Sequence, residues 1–232
     1  MSENKRDIQI SKALAYLLRH GAVNEGLPID NNGYVSIELL LRHNRLKSLQ
    51  CTLQDVERVV ANNVKKRFHM QSSHDGQTVI CATQGHSLAQ VTPSDEVLHQ
   101  ISATEEIPSK LVHGTNFSNL RLILQTGSLK KMRRNHIHLA AGVTGLDEKV
   151  VSGMRTSSNV YIYLKVRDLC EKYQVFRSLN DVYLAPEDIP ISLIQNVVLV
   201  GSDKNKSIVK ELQQALNQHN VPFEVSEDGH TV

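Results

Sequence analysis

The chain has 232 residues, 40% of them hydrophobic and 22% charged, with a formal net charge of +2. That is enough length to bury one or two cores, and too little charge to mark the whole surface as a nucleic-acid binder. No apolar run approaches the about eighteen residues of a membrane-spanning helix, and the opening MSENKRDIQI carries charges of both signs where a secretory signal would be apolar. An intracellular protein of the cytoplasm or nucleus, with no membrane partner, is expected. Cys51, Cys81 and Cys170 are far apart and outside any C-x-x-C pairing, which argues against a disulfide framework or a cysteine-bound zinc.

Apolar residues at 8, 10, 13, 14, 17 and 18 recur at helical spacing and predict a helix from Ile8 to Leu18, with Asp7 or Ser11 near its start as the cap. Arg19 and His20 stand at its C-terminal end, just before Gly21, a place where the helix dipole alone favours cations. Asn31-Asn32-Gly33 reads as a turn into a short extended Tyr34-Val35, and Ser36 is placed to cap a second helix through Ile37, Leu39, Leu40 and Leu41. Thr52 with Asp55 resembles a capping box and opens a third helix over Val56, Val59 and Val60. The alternation in Arg67-Phe68-His69-Met70, the turn His74-Asp75-Gly76 and the run Thr78–Ala82 then predict a β-hairpin. Three helices followed by a hairpin is the profile of a winged helix, with Arg67 on the wing and its side chain opposite Phe68.

The polar, proline-bearing stretch 86–110 reads as a connection, giving a first lobe at 1–92, a linker at 93–108 and a second lobe at 109–232. In the second lobe Leu111-Val112-His113 leads into Gly114-Thr115, and a helix is expected from Ser118 to Gln125. Strands are expected at Ile137–Leu139, Val160–Val166 and Val182–Leu184. Ile194–Val200, a helical 205–218 and Phe223–Val225 close the chain as strand, helix, strand, so the whole is an α+β protein.

Basic side chains gather at Arg19-His20, at Lys65-Lys66-Arg67 and in LKKMRRNHIH (129–138), where anionic partners are favoured. His113-Gly-Thr115 matches the H-x-[ST] signature of phosphodiesterases that use two such motifs, but no other histidine is followed two residues on by Ser or Thr. His136 and His138 would share one face of a strand, yet no further ligand-spaced group accompanies them as a metal site would need. Neither a G-x-S-x-G elbow nor a G-x-x-x-x-G-K-[ST] or G-x-G-x-x-G loop occurs, which removes serine-hydrolase, P-loop and Rossmann readings.

SKALAYLLRHGA with GLPIDNNGYV, the RFH of the hairpin, ATQGHS, LVHGT, MRRNHIHLA, VSGMRTSSNVYI and FRSLNDVYL follow one another in an order and at intervals that closely resemble the NAD-dependent tRNA 2′-phosphotransferase family. The resemblance covers about residues 8 to 200, and the form GMRTSSN is similar to fungal members. It implies a winged-helix RNA-binding lobe and a β-rich ADP-ribosyltransferase-like lobe. It also implies removal of the splice-junction 2′-phosphate from tRNA with NAD as co-substrate and no metal; a monomer is expected, though the sequence itself carries no sign of the oligomeric state. By the same resemblance Arg19, His20, Arg67 and Arg134 form the catalytic group. His113, Gly114, Thr115 and His138 are expected to contact NAD, and Arg155, Ser157, Ser178 and Asn180 are further candidates. Ala140 departs from the family, where many relatives have serine, and this puts any contact by that position in doubt. Two alternatives stay open at this stage: an ADP-ribosyltransferase acting on RNA phosphate ends or on protein, and a non-catalytic winged-helix nucleic-acid binder.

Overall fold

In the computed structural model, which describes residues 4–101, 107–147 and 150–226, the first helix starts a turn earlier than its apolar stripe implies. Helix α1 runs from Lys5 to Tyr16 and is capped by Asn4, whose side chain accepts from the Arg6 N–H. Neither Asp7 nor Ser11 is the cap. Asp7 falls in the first turn, where its charge suits the helix dipole and is taken up by Arg58 at 2.8 Å. The chain divides into two compact units, one comprising the chain through His99 together with Arg133–Asn135 and Ser178–Asn180, the other the remainder.

In the first unit α1 runs directly into a single π turn, Leu17–Gly21. Strand β1 (Tyr34–Ser36) follows, then α2 (Ile37–Arg42). Ser36 occupies the N-cap position of α2, but its side chain makes no capping bond. A short helix α3 (Asn44–Lys47) comes next, unsignalled by any apolar period, and is capped by the His43 side chain. Helix α4 (Leu53–Ala61) opens on a complete Thr52–Asp55 capping box, as the spacing predicts. Strands β2 (Phe68–Ser72) and β3 (Thr78–Ala82) form the hairpin, and β1 joins its other edge to give an antiparallel sheet in the order β1-β3-β2. The core collects Ile10, Leu14, Leu17, Leu18, Leu40, Leu46 and Ile80, all shielded from solvent, which ties α1 and the π turn to the sheet.

Strand β4 (Leu98–Gln100) carries the chain out of the first unit. The second unit holds β5 (Val112–Thr115), α5 (Phe117–Thr126), β6 (Ser128–Leu129), β7 (Ile137–Leu139), β8 (Val160–Leu164) and α6 (Val166–Lys172). It continues through β9 (Phe176–Ser178), β10 (Tyr183–Ala185), β11 (Ile189–Pro190), β12 (Ile194–Val200), α7 (Lys206–Gln218) and β13 (Phe223–Ser226). The expected strand through Val166 stops at Leu164, and Val166 begins α6 instead. One sheet has the order β13-β12-β8-β5, with only β12 and β13 parallel, while β10 pairs with both β7 and β9. A reciprocal pair of bonds between Val112 and Ala140, 2.8 and 2.9 Å, brings β5 beside the end of β7. Among the described residues no helix is long and apolar enough to cross a membrane.

A charged network fastens α1 to α4. Arg6 donates to both carboxylate oxygens of Asp55 at 2.9 and 2.7 Å, and Arg58 bridges Asp7 and Asp55. Arg6, then the Thr52 backbone N–H, then Arg58 hold the Asp55 carboxyl well below the usual carboxylate range. A depressed native pKa adds stability that is complete above the unfolded value, about pH 4, and is lost as the pH falls below it. Asp55→Asn should therefore melt at a lower temperature than the native chain at pH 7 and lose stability less steeply below about pH 4. Thermal melts across that range read the effect, and an unchanged melting temperature at pH 7 would show the network to be idle.

Candidate active site

The sequence places Arg19 and His20 at the end of a helix, and the π turn decides where they go. The Ala22 N–H reaches back to the Leu17 carbonyl at 2.9 Å, five residues away, so the turn holds one residue more than an α-helix would. Leu17 and Leu18 both stay in the core, and the chain leaves with Arg19 and His20 against the segment Gly85–Ser87. Gly21 permits this, since a Cβ there would lie 2.6 Å from the Tyr16 ring. The Ser87 N–H donates to the Arg19 carbonyl at 2.9 Å, and His20 Nδ1 lies 2.9 Å from Ser87 Oγ. Gly85 has a positive φ of 90°, a conformation costly for any residue with a Cβ, and its Cα faces the Arg19 side chain.

Arg67 sits at the base of the hairpin rather than out on it, because β2 begins one residue later. Its N–H and guanidinium both donate to Asn63 Oδ1, at 3.1 and 3.4 Å, and its carbonyl accepts from the Thr83 N–H at 3.0 Å. Arg134 belongs to the first unit through its neighbour Asn135. The Asn135 N–H donates to the His86 carbonyl at 2.9 Å, and its side-chain amide donates to the carbonyls of Leu88 and Val91. Asn180 does the same for the other basic run: its amide donates to the Lys65 carbonyl at 2.9 Å, while Ser178 Oγ donates to Asn180 Oδ1 at 2.8 Å. Ser178 and Asn180, expected among the NAD contacts, thus have buried side chains engaged with each other and with the Lys65-Lys66-Arg67 run.

Arg67 and Arg134 lie near enough to Arg19, and Arg134 and Arg19 near enough to His20, for their charges to act there. Burial, then the charges of Arg67 and Arg134, push the Arg19 guanidinium down to about 10. His20 is lowered by burial first, then by Arg134 and Arg19, so the neutral imidazole is favoured. Arg19 Nε and one terminal nitrogen are buried without any hydrogen-bond partner. Native proteins rarely leave such donors unsatisfied, and a cation among cations that does so is suited to a multiply charged anion.

The second unit gathers a different set. His113 and Gly114 lie on β5, where His113 Nδ1 is 2.9 Å from the His138 carbonyl; that oxygen can only accept, so Nδ1 carries the proton and Nε2 is left as an acceptor. Burial keeps the ring neutral. A Cβ on Gly114 would meet Met154 and Ser158 at 2.8–3.0 Å, so the loop carrying Arg155 and Ser157 packs directly on this strand. Arg155 and Ser157 themselves are exposed. Ala140 is fully buried, and a Cβ on Gly153 would come within 2.9 Å of its methyl group. Asn159, which the sequence patterns did not single out, donates its N–H to the Thr115 carbonyl, and its side-chain oxygen is buried without a partner. That orphan acceptor beside His113-Gly114-Thr115 fits a ligand bearing hydroxyl or amide donors, as a dinucleotide does. His136, paired with His138 in the sequence as a weighed metal site, precedes β7 and stacks edge-on against Phe176; burial and then Lys131 push it down to about 4.

Comparison with known proteins gives a consistent set of likenesses. The family described as RNA 2′-phosphotransferase, Tpt1 / KptA, matches residues 5–187. The tRNA 2′-phosphotransferase of Saccharomyces cerevisiae is 45% identical over 226 residues, 97% of each chain. The tRNA 2′-phosphotransferase 1 of Danio rerio is 40% identical over 190 residues, 81% of each chain. Among solved structures, Thermus sp. 2.9 DarT in complex with NAD+ overlaps 55% of this chain and 100% of its own at 12% identity, with a TM-score of 0.35.

The unpartnered Arg19 donors carry a stability cost that a neutral side chain of similar length removes. Arg19→Met should stabilise the apoprotein by about 1–2 kcal/mol, a rise of several degrees in melting temperature. Inorganic phosphate should raise the melting temperature of the native chain more than that of the variant. A variant that melts lower than the native chain in phosphate-free buffer would show that Arg19 is already satisfied.

Proposed function

This chain belongs to the RNA 2′-phosphotransferase family, and on that footing we propose that it removes the splice-junction 2′-phosphate from ligated tRNA by transferring it to NAD. The buried, unpartnered Arg19 donors, beside the charges of Arg67 and Arg134, are the observation that carries this reading to the residues. The first lobe is a winged helix that receives RNA, supported by its helices and three-stranded antiparallel sheet. The second is an ADP-ribosyltransferase-like lobe that receives NAD, and the linker read at 93–108 holds β4 and, at 102–106, lies outside the described residues.

NAD supplies a ribose carbon, C1″, from which the RNA 2′-phosphate displaces nicotinamide; attack on that phosphate by the ribose O2″ then yields 2′-OH RNA and ADP-ribose 1″,2″-cyclic phosphate. The chain's residues have to aim a phosphate in the first step and neutralise it in the second. Arg19 does the aiming, because a guanidinium fork grips two phosphate oxygens and keeps its proton at physiological pH even when lowered to about 10. His20 donates a hydrogen bond to the phosphate and is able to move a proton in the second step. Arg67 and Arg134 stabilise the charge that develops as the phosphorus is attacked, and losing either donor costs on the order of 3 kcal/mol, about a hundredfold in rate.

On the NAD side, His113 Nε2 accepts from a ribose hydroxyl, and Gly114 and Thr115 offer backbone groups. His138 stands at the second signature position, and Asn159 adds the acceptor that the sequence motif does not reveal. Arg155 and Ser157 are free to reach the dinucleotide from an exposed loop. Ser178 and Asn180 act at one remove, by holding the run that ends in Arg67. Because departing nicotinamide is neutral, no strong acid is needed; the lobe contributes positioning, worth several kcal/mol.

Incubation with NAD and an oligonucleotide bearing an internal 2′-phosphate tests the reading. The native chain should release the cyclic product and leave a 2′-OH. Arg67→Ala and Arg134→Ala should slow the second step by about a hundredfold and let the ADP-ribosylated RNA accumulate. A stable adduct from the native chain would favour an ADP-ribosyltransferase that stops after one step, and binding without turnover would favour a simple nucleic-acid binder.

A further inference from the structure

Ser87 touches both members of the Arg19-His20 pair. Its backbone N–H donates to the Arg19 carbonyl, and its Oγ lies 2.9 Å from His20 Nδ1. The loop that bears it is fixed in turn by Asn135, which bonds to the carbonyls of His86, Leu88 and Val91. We propose that Ser87 is a positioning residue whose hydroxyl holds the Nδ1 edge of His20, so that the Nε2 edge is presented to the phosphate. The role rests on the reading of the arginine cluster given above.

The choice of a hydroxyl follows from its hydrogen-bonding inventory. Serine has one proton to give and lone pairs to accept with, so it donates to a bare Nδ1 and, after rotating, accepts from a protonated one. His20 keeps its partner and its orientation in both charge states, which a proton transfer through Nε2 requires. The two other groups that commonly orient a histidine would fail here. A carbonyl accepts only, and would fix the proton on Nδ1, as the His138 carbonyl does for His113. A carboxylate would pair with Arg19 and Arg134 and cancel the charge meant for the phosphate.

Three substitutions, singly and in one double variant, test this. Nitrogen-15 NMR of the histidine rings, without RNA or NAD, should show His20 Nδ1 hydrogen-bonded in the native chain and in Ser87→Thr, and without that bond in Ser87→Ala. In single-turnover assays with 2′-phosphorylated RNA and NAD, Ser87→Ala should lose about tenfold in rate with little change in substrate affinity, the worth of one hydrogen bond. Ser87→Thr should retain most of the native rate. With enzyme in excess, adding Ser87→Ala to His20→Ala should bring no further loss, because the serine acts through the histidine. An unchanged Nδ1 signal in Ser87→Ala, or an equal loss in the absence of His20, would overturn the proposal. A changed Nδ1 signal accompanied by no turnover in the native chain would instead overturn the functional reading.

Discussion

Like charges brought near one another are the constraint around which the first unit is built. Arg19, Arg67 and Arg134 come from a helix end, a hairpin base and a segment more than a hundred residues beyond the first. The restraints are neutral and numerous. Leu17 and Leu18 lock the π turn into the core, Asn63 and Thr83 hold the backbone of Arg67, and Asn135 anchors the residue next to Arg134. None of these restraints brings a negative charge to the cluster. The carboxylates of the α1–α4 network, Asp7 and Asp55, pair with Arg6 and Arg58. The pattern is that of a site whose strain is supported by ordinary packing elsewhere.

This arrangement suits a phosphate that changes role during the reaction. A nucleophilic phosphate needs orientation without loss of its electron pairs, and an electrophilic one needs its charge withdrawn. In the proposed reaction permanent guanidinium charges would supply both, and His20, whose neutral form is favoured, would supply a proton path that arginine lacks. The second unit provides fixed acceptors: a histidine locked in one tautomer by a carbonyl, and an asparagine oxygen with nothing to bond. The two histidines therefore differ by the partner each ring was given: a hydroxyl that turns for His20, an oxygen that cannot for His113.

Much of this was legible in the sequence, and what was hidden has physical reasons. The helical stripe of α1, the Thr52–Asp55 box, the hairpin, α5, β12 and α7 all follow from period and capping chemistry. The π turn does not, because one extra residue in a turn leaves the apolar spacing before it intact. Helix α6 was masked because VYIYLKV reads as a single run of strand-forming residues across the point where the strand ends. The resemblance assigned roles to the basic residues, while Ser87, Asn135 and Asn159 were given none although they lie within ATQGHS, MRRNHIHLA and VSGMRTSSNVYI. Their contacts are to partners distant in the chain, and a lone serine or asparagine carries no periodic signal.

The central claim is that this cluster of cations is built to accept a phosphate on the RNA 2′ position. Affinity measured without NAD, for two oligonucleotides that differ only in a 2′-phosphate or a 2′-hydroxyl, tests it most directly. The phosphorylated strand should bind at least about tenfold tighter to the native chain, and that advantage should vanish in Arg19→Met. Equal affinity for the two strands would contradict the account.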